Sequence, residues 1–447
     1  MVKRFLIYLF LLAGLTMACS DDDSFTTSTS ARLTFSVDTV KLDTIFSTVG
    51  SATYNFWVYN NASDGLRLSS VRLQQGNQTG FRVNVDGTYL DNSLGSVVTD
   101  LELRKGDSIR VFVELTAAET HQPDPQLVTD DLLFQLESGV VQRVNLRGYT
   151  WDALQLQNLR VKSDTVIETS RPLVVYGGIR VDSAATLTLR HTTLYFHDGA
   201  GIDVYGRLQT DSVLLRGDRL DHMFDYLPYD RVSGQWRGLH FFSSSTGNRL
   251  LRTEIRNAMT GIDCDSARFT KDVYRLYMER CIVHNCKGAG IQTFNAHVGL
   301  LGCQITNTLG DCLSVYGGLV VVEECTLAQF YPFSAKRGAA LRFGNKKDKK
   351  RYPLEGFVCR SSIITGYEDD VVMGEAADST IAFAYYFEQS LLRTPVVKDT
   401  VAFKNIVWET SKDSIQGKQH FVLIDEQNLR YDFHLDSLST AKGMGCY

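Results

Sequence analysis

A chain of 447 residues has room for two or three domains, and 44% apolar with 22% charged residues is ordinary for a soluble globular protein. Its 46 basic and 51 acidic side chains leave a net charge of −5, which gives no reason to expect nucleic acid as a partner. Seven prolines and 35 glycines suit turn-rich β structure, and no long amphipathic helix pattern follows the leader.

Residues 1–18 read as a lipoprotein signal peptide. Lys3 and Arg4 form a basic start, Phe5 to Leu15 an apolar core, and Ala18 is the small residue before an acceptor Cys19. Leucine is preferred three positions before such a cysteine, whereas Leu15 stands four before, which leaves ordinary secretory cleavage open. Lipidation at Cys19 would hold the mature chain at a membrane surface, and no later apolar run approaches the ~20 residues of a spanning helix. Residues 19–30 are an acidic and polar linker, Ser20-Asp-Asp-Asp23 followed by Ser24 to Ser30. The acidic stretch resembles the tether of surface-exported lipoproteins of the Bacteroidetes. That resemblance implies a lipid-anchored protein of the outer membrane, exposed at the cell surface or, alternatively, facing the periplasm.

From residue 31 to 150 short alternating strands are parted by turns. The clearest are Arg32–Val37, Tyr54–Tyr59, Phe81–Val85, Ser108–Leu115, Asp131–Leu136 and Val140–Leu146, punctuated by Asn60-Asn61, Asp64-Gly65, Asp86-Gly87 and Lys105-Gly-Asp107. Some seven short strands in about 120 residues predict an immunoglobulin-like β-sandwich. No cysteine lies here, so apolar packing alone must join the sheets. Asp43-Thr-Ile-Phe-Ser-Thr-Val-Gly50, Phe56-Trp-Val-Tyr-Asn60 and Lys105-Gly-Asp-Ser-Ile-Arg-Val-Phe-Val113 resemble the N-terminal module of Bacteroidetes β-helix lipoproteins. Val144-Asn-Leu-Arg-Gly148 is similar to the last strand of Hydin-type immunoglobulin-like domains. The resemblance implies a spacer or adhesive unit and no particular reaction.

After the junction at Trp151-Asp-Ala153 the chain becomes repetitive. Cys281-Ile-Val-His-Asn285, Cys303-Gln-Ile-Thr-Asn307 and Cys325-Thr-Leu-Ala-Gln329 recur every 22 residues, with Thr253-Glu-Ile-Arg-Asn257 before them and Ser362-Ile-Ile-Thr-Gly366 after. A period near 22 with β-type content is one turn of a parallel β-helix. Residues 151–447 are therefore expected to form a right-handed parallel β-helix of eight to ten turns, its less regular end after Thr394 acting as a cap, and the resemblance to the Bacteroidetes lipoproteins implies a pectin-lyase-like coil. Small or apolar residues alternate with polar ones in each motif, and Asn257, Asn285 and Asn307 should stack at a corner. A second strand follows in every turn: Gly201-Ile-Asp-Val204, Gly238-Leu-His-Phe241, Gly261-Ile-Asp-Cys264, Gly290-Ile-Gln-Thr293, Cys312-Leu-Ser-Val315 and Ala340-Leu-Arg-Phe343.

Cys281, Cys303 and Cys325 fall on inward positions, where cysteine acts as a small apolar residue. Parallel Cβ vectors make a disulfide between stacked neighbours awkward, and no Cys-x-x-Cys or His cluster has closed zinc spacing. No metal and no cofactor are expected.

The outward row of the second strand reads Asp203, His240, Asp263, Gln292, Ser314, Arg342. One turn between each would put Asp203 and Asp263 about 9.6 Å apart with His240 between them. That is near the upper limit for an inverting glycosidase, and it resembles where pectin-processing β-helix enzymes carry their acids, though none of their local motifs is present. Asp369-Asp370 cannot form a dyad on one strand face and reads as a solvated corner.

Two insertions at one corner are basic. The longer holds Lys336, Arg337, Arg342, Lys346, Lys347, Lys349, Lys350 and Arg351 against Asp348, and the shorter adds Arg268 and Lys271. They would form a cationic rim above a polar groove that includes Gln292, attracting anionic polysaccharide or lipid headgroups. A third loop carries Phe224, Tyr226, Tyr229 and Trp236, which stack on sugar rings or fold back over the barrel. The expected function is a surface-anchored, monomeric protein presenting an elongated groove to glycan or a partner protein. The alternative is a polysaccharide lyase or glycoside hydrolase using Asp203, His240 and Asp263.

Overall fold

The computed structural model describes residues 24–447 apart from 92, 94 and 225. The leader, Cys19 and Asp21 to Asp23 lie outside the described residues. The described chain is essentially all-β and divides into two compact units, Met1–Asp152 and Ala153–Tyr447.

The first unit packs two five-stranded sheets face to face. One contains Thr34–Phe35, Tyr54–Tyr59, Ser108–Leu115, Phe81–Val85 and Thr88–Tyr89, and the other Thr39–Phe46, Val141–Trp151, Gln126–Leu136, Leu66–Leu73 and Val97–Leu103. Pairing is antiparallel except between Val141–Trp151 and Thr39–Phe46. Alternate residues such as Phe56 and Val58, Val111 and Val113, and Leu132 and Phe134 point into one buried core, as period-two patterning requires. Asp86-Gly87 makes the two-residue turn between Phe81–Val85 and Thr88–Tyr89, with φ of 50° and 84°. Positive φ at both positions matches the right-handed twist of the flanking strands. The strands Thr39–Phe46, Leu66–Leu73 and Val97–Leu103 add to those expected. Charged residues outside the core (Lys41, Arg67, Asp100) broke up their apolar pattern.

The second unit is built on one 23-stranded sheet whose successive pairings are parallel. Three ladders run through it. The cysteine motifs form one, Ile282–His284 pairing with Gln304–Thr306 and that with Thr326–Gln329, then Ile363–Gly366 and Leu391–Arg393. The second ladder joins Ile202–Val204, Leu239–Phe241 and Ile262–Cys264 to the starts of Ile291–Leu301 and Leu313–Glu323. The third was not legible as a separate strand, because it continues the second through a left-handed corner of one or two residues. Asn295 at φ 43° bends Ile291–Leu301, and Gly317 and Gly318 at φ 74° and 82° do the same in Leu313–Glu323. Leu276–Glu279 pairs with the far half of the first of these.

A small hydroxyl or thiol residue opens each strand of the first ladder for a specific reason. Cys281, Cys303, Cys325, Ser362 and Ser390 each donate to the carbonyl two residues back. Their side chains also accept from the turn before: Cys303 N–H to Cys325 Sγ at 3.3 Å, Cys325 N–H to Ser362 Oγ at 3.1 Å, Ser362 N–H to Ser390 Oγ at 3.2 Å. Directly before each sits a residue of positive φ: Arg280, Gly302, Glu324, Ser361 and Gln389. The corner orphans a backbone donor, and the next side chain up the column satisfies it. At the opposite corner Asn257, Asn285 and Asn307 all have positive φ, and Asn285 Nδ2 donates to Asn257 Oδ1 at 2.9 Å.

The segment after the last ladder strands lies against the flank of the first ladder. Its hairpin, Phe421–Asp425 with Arg430–Leu435, joins Ala328, Phe330, Ile363 and Leu391 in a separate apolar cluster. Cys446 N–H donates to Thr326 Oγ1 at 3.2 Å and Gly445 N–H to Ser361 O at 2.8 Å. Positions that alternation alone places outward, such as His284, Thr306 and Ala328, are consequently buried.

Candidate functional site

In each short strand of the second ladder the residue between two core residues must face away from the core. Register places Asp203 opposite His240, His240 opposite Asp263, Asp263 opposite Gln292, Gln292 opposite Ser314 and Ser314 opposite Arg342. The row is therefore continuous, but its side chains do not pair along it as a simple acid–water–base set. Asp203 Oδ2 accepts from Arg237 Nη2 at 2.9 Å. His240 Nε2 faces Asp265 Oδ1 at 3.1 Å. Asp263 Oδ1 accepts from Gln292 Nε2 at 3.4 Å. Burial raises the Asp263 pKa, with the Gln292 hydrogen bond and the His240 charge opposing it. Arg342 grips Asp311 with two hydrogen bonds at 2.8 and 3.2 Å, and Ser314 Oγ donates to the same carboxylate.

Two residues further along each strand lies a second outward row that the sequence reading stopped short of: Tyr205, Phe242, Asp265, Phe294, Tyr316. Tyr205 stacks on Phe242 with centroids 4.0 Å apart, His240 on Phe242 at 4.0 Å, and Phe294 on Tyr316 at 5.4 Å. The signal was present, since period two continues past the four-residue motif of each turn. Asp265 interrupts the rings where the row changes from Phe242 to Phe294.

Around that interruption lies a cavity of about 880 Å³ lined by Asp265, Gln292, Phe294, Lys347, Lys349 and Tyr352 among others. The hairpin of Lys346–Lys347 with Lys350–Arg351 brings the lysines to it. Arg351 pairs with Asp378 and Arg337 lies 3.9 Å from Glu368, whereas among the described residues Lys346, Lys347, Lys349 and Lys350 have no carboxylate within ion-pair distance. Lys347 Nζ sits 5.0 Å from the Tyr316 ring centroid and 3.3 Å from its hydroxyl. A second cavity of about 390 Å³ is lined by Arg342, Lys346, Lys347 and Tyr316. Arg268 and Lys271 are exposed on the shorter insertion but line neither cavity.

The aromatic loop divides. Trp236, expected as a ligand-stacking ring, is 1% exposed, stacked on Phe196 at 4.2 Å, with its indole N–H donated to Arg256 O at 2.8 Å. It closes the core and is unavailable to a ligand, because burying so large a ring gains more than exposing it. Tyr229 is half-buried under the Arg219 guanidinium, 4.3 Å from its ring centroid. Phe224 and Tyr226 stay exposed and stack on each other at 5.6 Å. Asp369 accepts from Arg393 at 2.8 Å and Asp370 from Thr394 at 2.7 Å, so that pair ties one repeat to the next.

The cysteines of the second unit are free thiols, all buried but Cys446. Burial pushes Cys264, Cys286, Cys312 and Cys359 up to about 12, which keeps them protonated and poor nucleophiles.

No family model matches this chain, and comparison with curated proteins finds no match. Solved structures that align with part of it include the N-terminal domain of PorA, at 14% identity over 27% of this chain and 97% of that one, with a TM-score of 0.20. A lipoprotein from Bacteroides thetaiotaomicron aligns at 16% identity over 29% of this chain and 87% of that one, TM-score 0.18. A PapD-like domain of human CEP192 aligns at 12% identity over 29% and 92%, TM-score 0.19. Scores this low support no argument about this chain.

Proposed function

We propose that the second unit is a right-handed parallel β-helix of an exported, lipid-anchored surface protein, that the first is its immunoglobulin-like spacer, and that the coil binds an anionic polysaccharide. Three ladders recurring with a basic period of 22 residues support the coil, and parallel crossovers take the right hand almost without exception. The ligand class follows from one observation: Lys347, Lys349 and Lys350, without carboxylate partners among the described residues, line an open cavity together with the partly exposed ring of Phe294. Ammonium groups attract carboxylated or sulfated sugars, and ring faces stack on their apolar C–H faces. Affinity electrophoresis against acidic and neutral polysaccharides tests this. Acidic polymers should retard the protein, with retardation weakened by salt and lost in Lys347→Ala/Lys349→Ala/Lys350→Ala. Equal retardation by neutral polymers, or an unaffected triple variant, refutes it.

A second reading, a polysaccharide lyase or glycoside hydrolase, is favoured by the His240–Asp265 pair beside Asp263, whose carboxyl is held toward its protonated form by burial. Reducing-end or unsaturated-sugar release from an acidic glycan, abolished by Asp263→Asn, would establish it.

A further inference from the structure

The same face carries a grouping that the glycan reading leaves unused. His240 and Asp263 are register partners on adjacent parallel strands, Leu239–Phe241 and Ile262–Cys264, so their side chains leave the sheet side by side about 4.8 Å apart. Asp265 follows Asp263 by two residues and therefore emerges on the same side. One ligand atom from each of the three lies within 4.8 Å of the other two. These are not three interchangeable acids: the group contains an imidazole nitrogen, and that ring is held in place. His240 stacks on Phe242 at 4.0 Å and Phe242 stacks on Tyr205 at 4.0 Å, while Gln292 orients the Asp263 carboxylate. Partners that fix the rotamers of would-be ligands are what distinguishes a built metal site from a chance cluster.

We propose that His240, Asp263 and Asp265 bind one divalent transition-metal ion of the zinc or manganese class. One nitrogen and two carboxylate oxygens suit zinc, manganese or cobalt, whereas calcium and magnesium take oxygen almost exclusively. Metal–donor distances of about 2.0–2.2 Å require the three groups to close in slightly, and the His240–Asp265 hydrogen bond to be exchanged for two metal bonds. Three protein ligands leave at least one position open, on the side where Asp265 borders the lysine-lined cavity. Electrostatics favour the ion as well. Asp265 lines a cavity with a cationic edge and Asp263 stands beside it, so the two carboxylates repel the anionic ligand the edge attracts, and a dication neutralises them. The spacing rules that find metal sites in a linear sequence miss this one, because its donors come from two neighbouring strands whose separation in the chain is set by a loop.

The test uses the whole mature protein with cobalt(II) and manganese(II) as probes, since zinc would also seek thiols in any unfolded fraction. Isothermal titration should show one site per chain. The cobalt complex should show d–d bands in the visible without thiolate charge transfer. His240→Ala and Asp265→Asn should each weaken binding about tenfold or more, and Gln292→Ala, which touches no metal, should weaken it within the same range. His434→Ala, altering the exposed His434–Asp432 pair, should leave it unchanged, and circular dichroism establishes that each variant is folded. Binding of calcium in preference to both probes overturns the assignment. So does thiolate absorption, absence of binding, or binding that survives His240→Ala with the fold intact. Metal binding is read without glycan, so its failure leaves the polysaccharide reading standing, and the reverse also holds.

Discussion

In the sandwich most strands meet antiparallel partners across turns of specific chemistry, such as Asp86-Gly87, and every core position is used once. In the parallel unit each strand meets its own equivalent from the next repeat, so one position becomes a column and a single solution is reused: thiol or hydroxyl at Cys281, Cys303, Cys325, Ser362 and Ser390. The contrast concerns where specificity resides. Apolar volume specifies the sandwich, whereas the parallel unit also depends on hydrogen bonds at its corners, which any change that removes the acceptor breaks.

The sharpest break falls on the sandwich. Phe134 is fully buried against Phe35 at 5.1 Å, and Phe134→Ala should cost about 3–5 kcal/mol, seen as faster amide exchange in Ser108–Leu115 and Gln126–Leu136. Next comes Asp152, whose carboxylate accepts from Ser47 Oγ at 2.6 Å and from the Thr120 and His121 amides. Burial opposes its ionisation, but these bonds outweigh burial and lower its pKa to about 2. Its stabilisation is complete above the unfolded value of about 3.9 and is lost as pH falls through about 2. Asp152→Asn should lower stability at pH 7 by about 1.5–3 kcal/mol and remove that part of the acid dependence.

In the parallel unit, Cys325→Ala orphans the Cys303 amide and should cost about 1–3 kcal/mol, while Cys325→Ser, which keeps an acceptor, should stay close to wild type in urea unfolding. If both behave alike, the columns are merely small and the contrast fails.

A subtler effect concerns the flank. His284 is buried against Tyr431 and Phe433, its Nδ1 2.8 Å from Thr306 Oγ1; burial first, then the charges of Arg231 and Arg256, lower its pKa to about 3 despite Asp230. The neutral ring is favoured in the fold, so stability falls as pH drops below about 6.5, by about 1.4 kcal/mol per unit until about pH 3. Amide exchange in Phe421–Asp425, corrected for its intrinsic pH dependence, should quicken between pH 7 and 5, and His284→Leu should abolish that change.

The repeats were legible because Cys281, Cys303 and Cys325 keep one spacing, and the outward row because alternation around Asp203, His240 and Asp263 is strict. What escaped was of another kind. The third ladder hides in strands that bend at Asn295 or at Gly317 and Gly318 without interrupting the β pattern. Asp265 and its flanking rings sit one step beyond the four-residue repeat motif, and the burial of Trp236 depends on which way a 37-residue interval turns.

Local alternation and a constant period settled by themselves which residues face inward, which share a row and where the corners fall, because backbone geometry repeats every two residues and every turn. Only the tertiary structure decided that the C-terminal hairpin covers His284 and Ala328, that Asp203 is tied to Arg237, and that Asp265 meets His240 beside the lysine-lined cavity. Those choices depend on how loops of unequal length fold back, and loop paths follow from whichever distant surface offers the best burial rather than from any period in the chain.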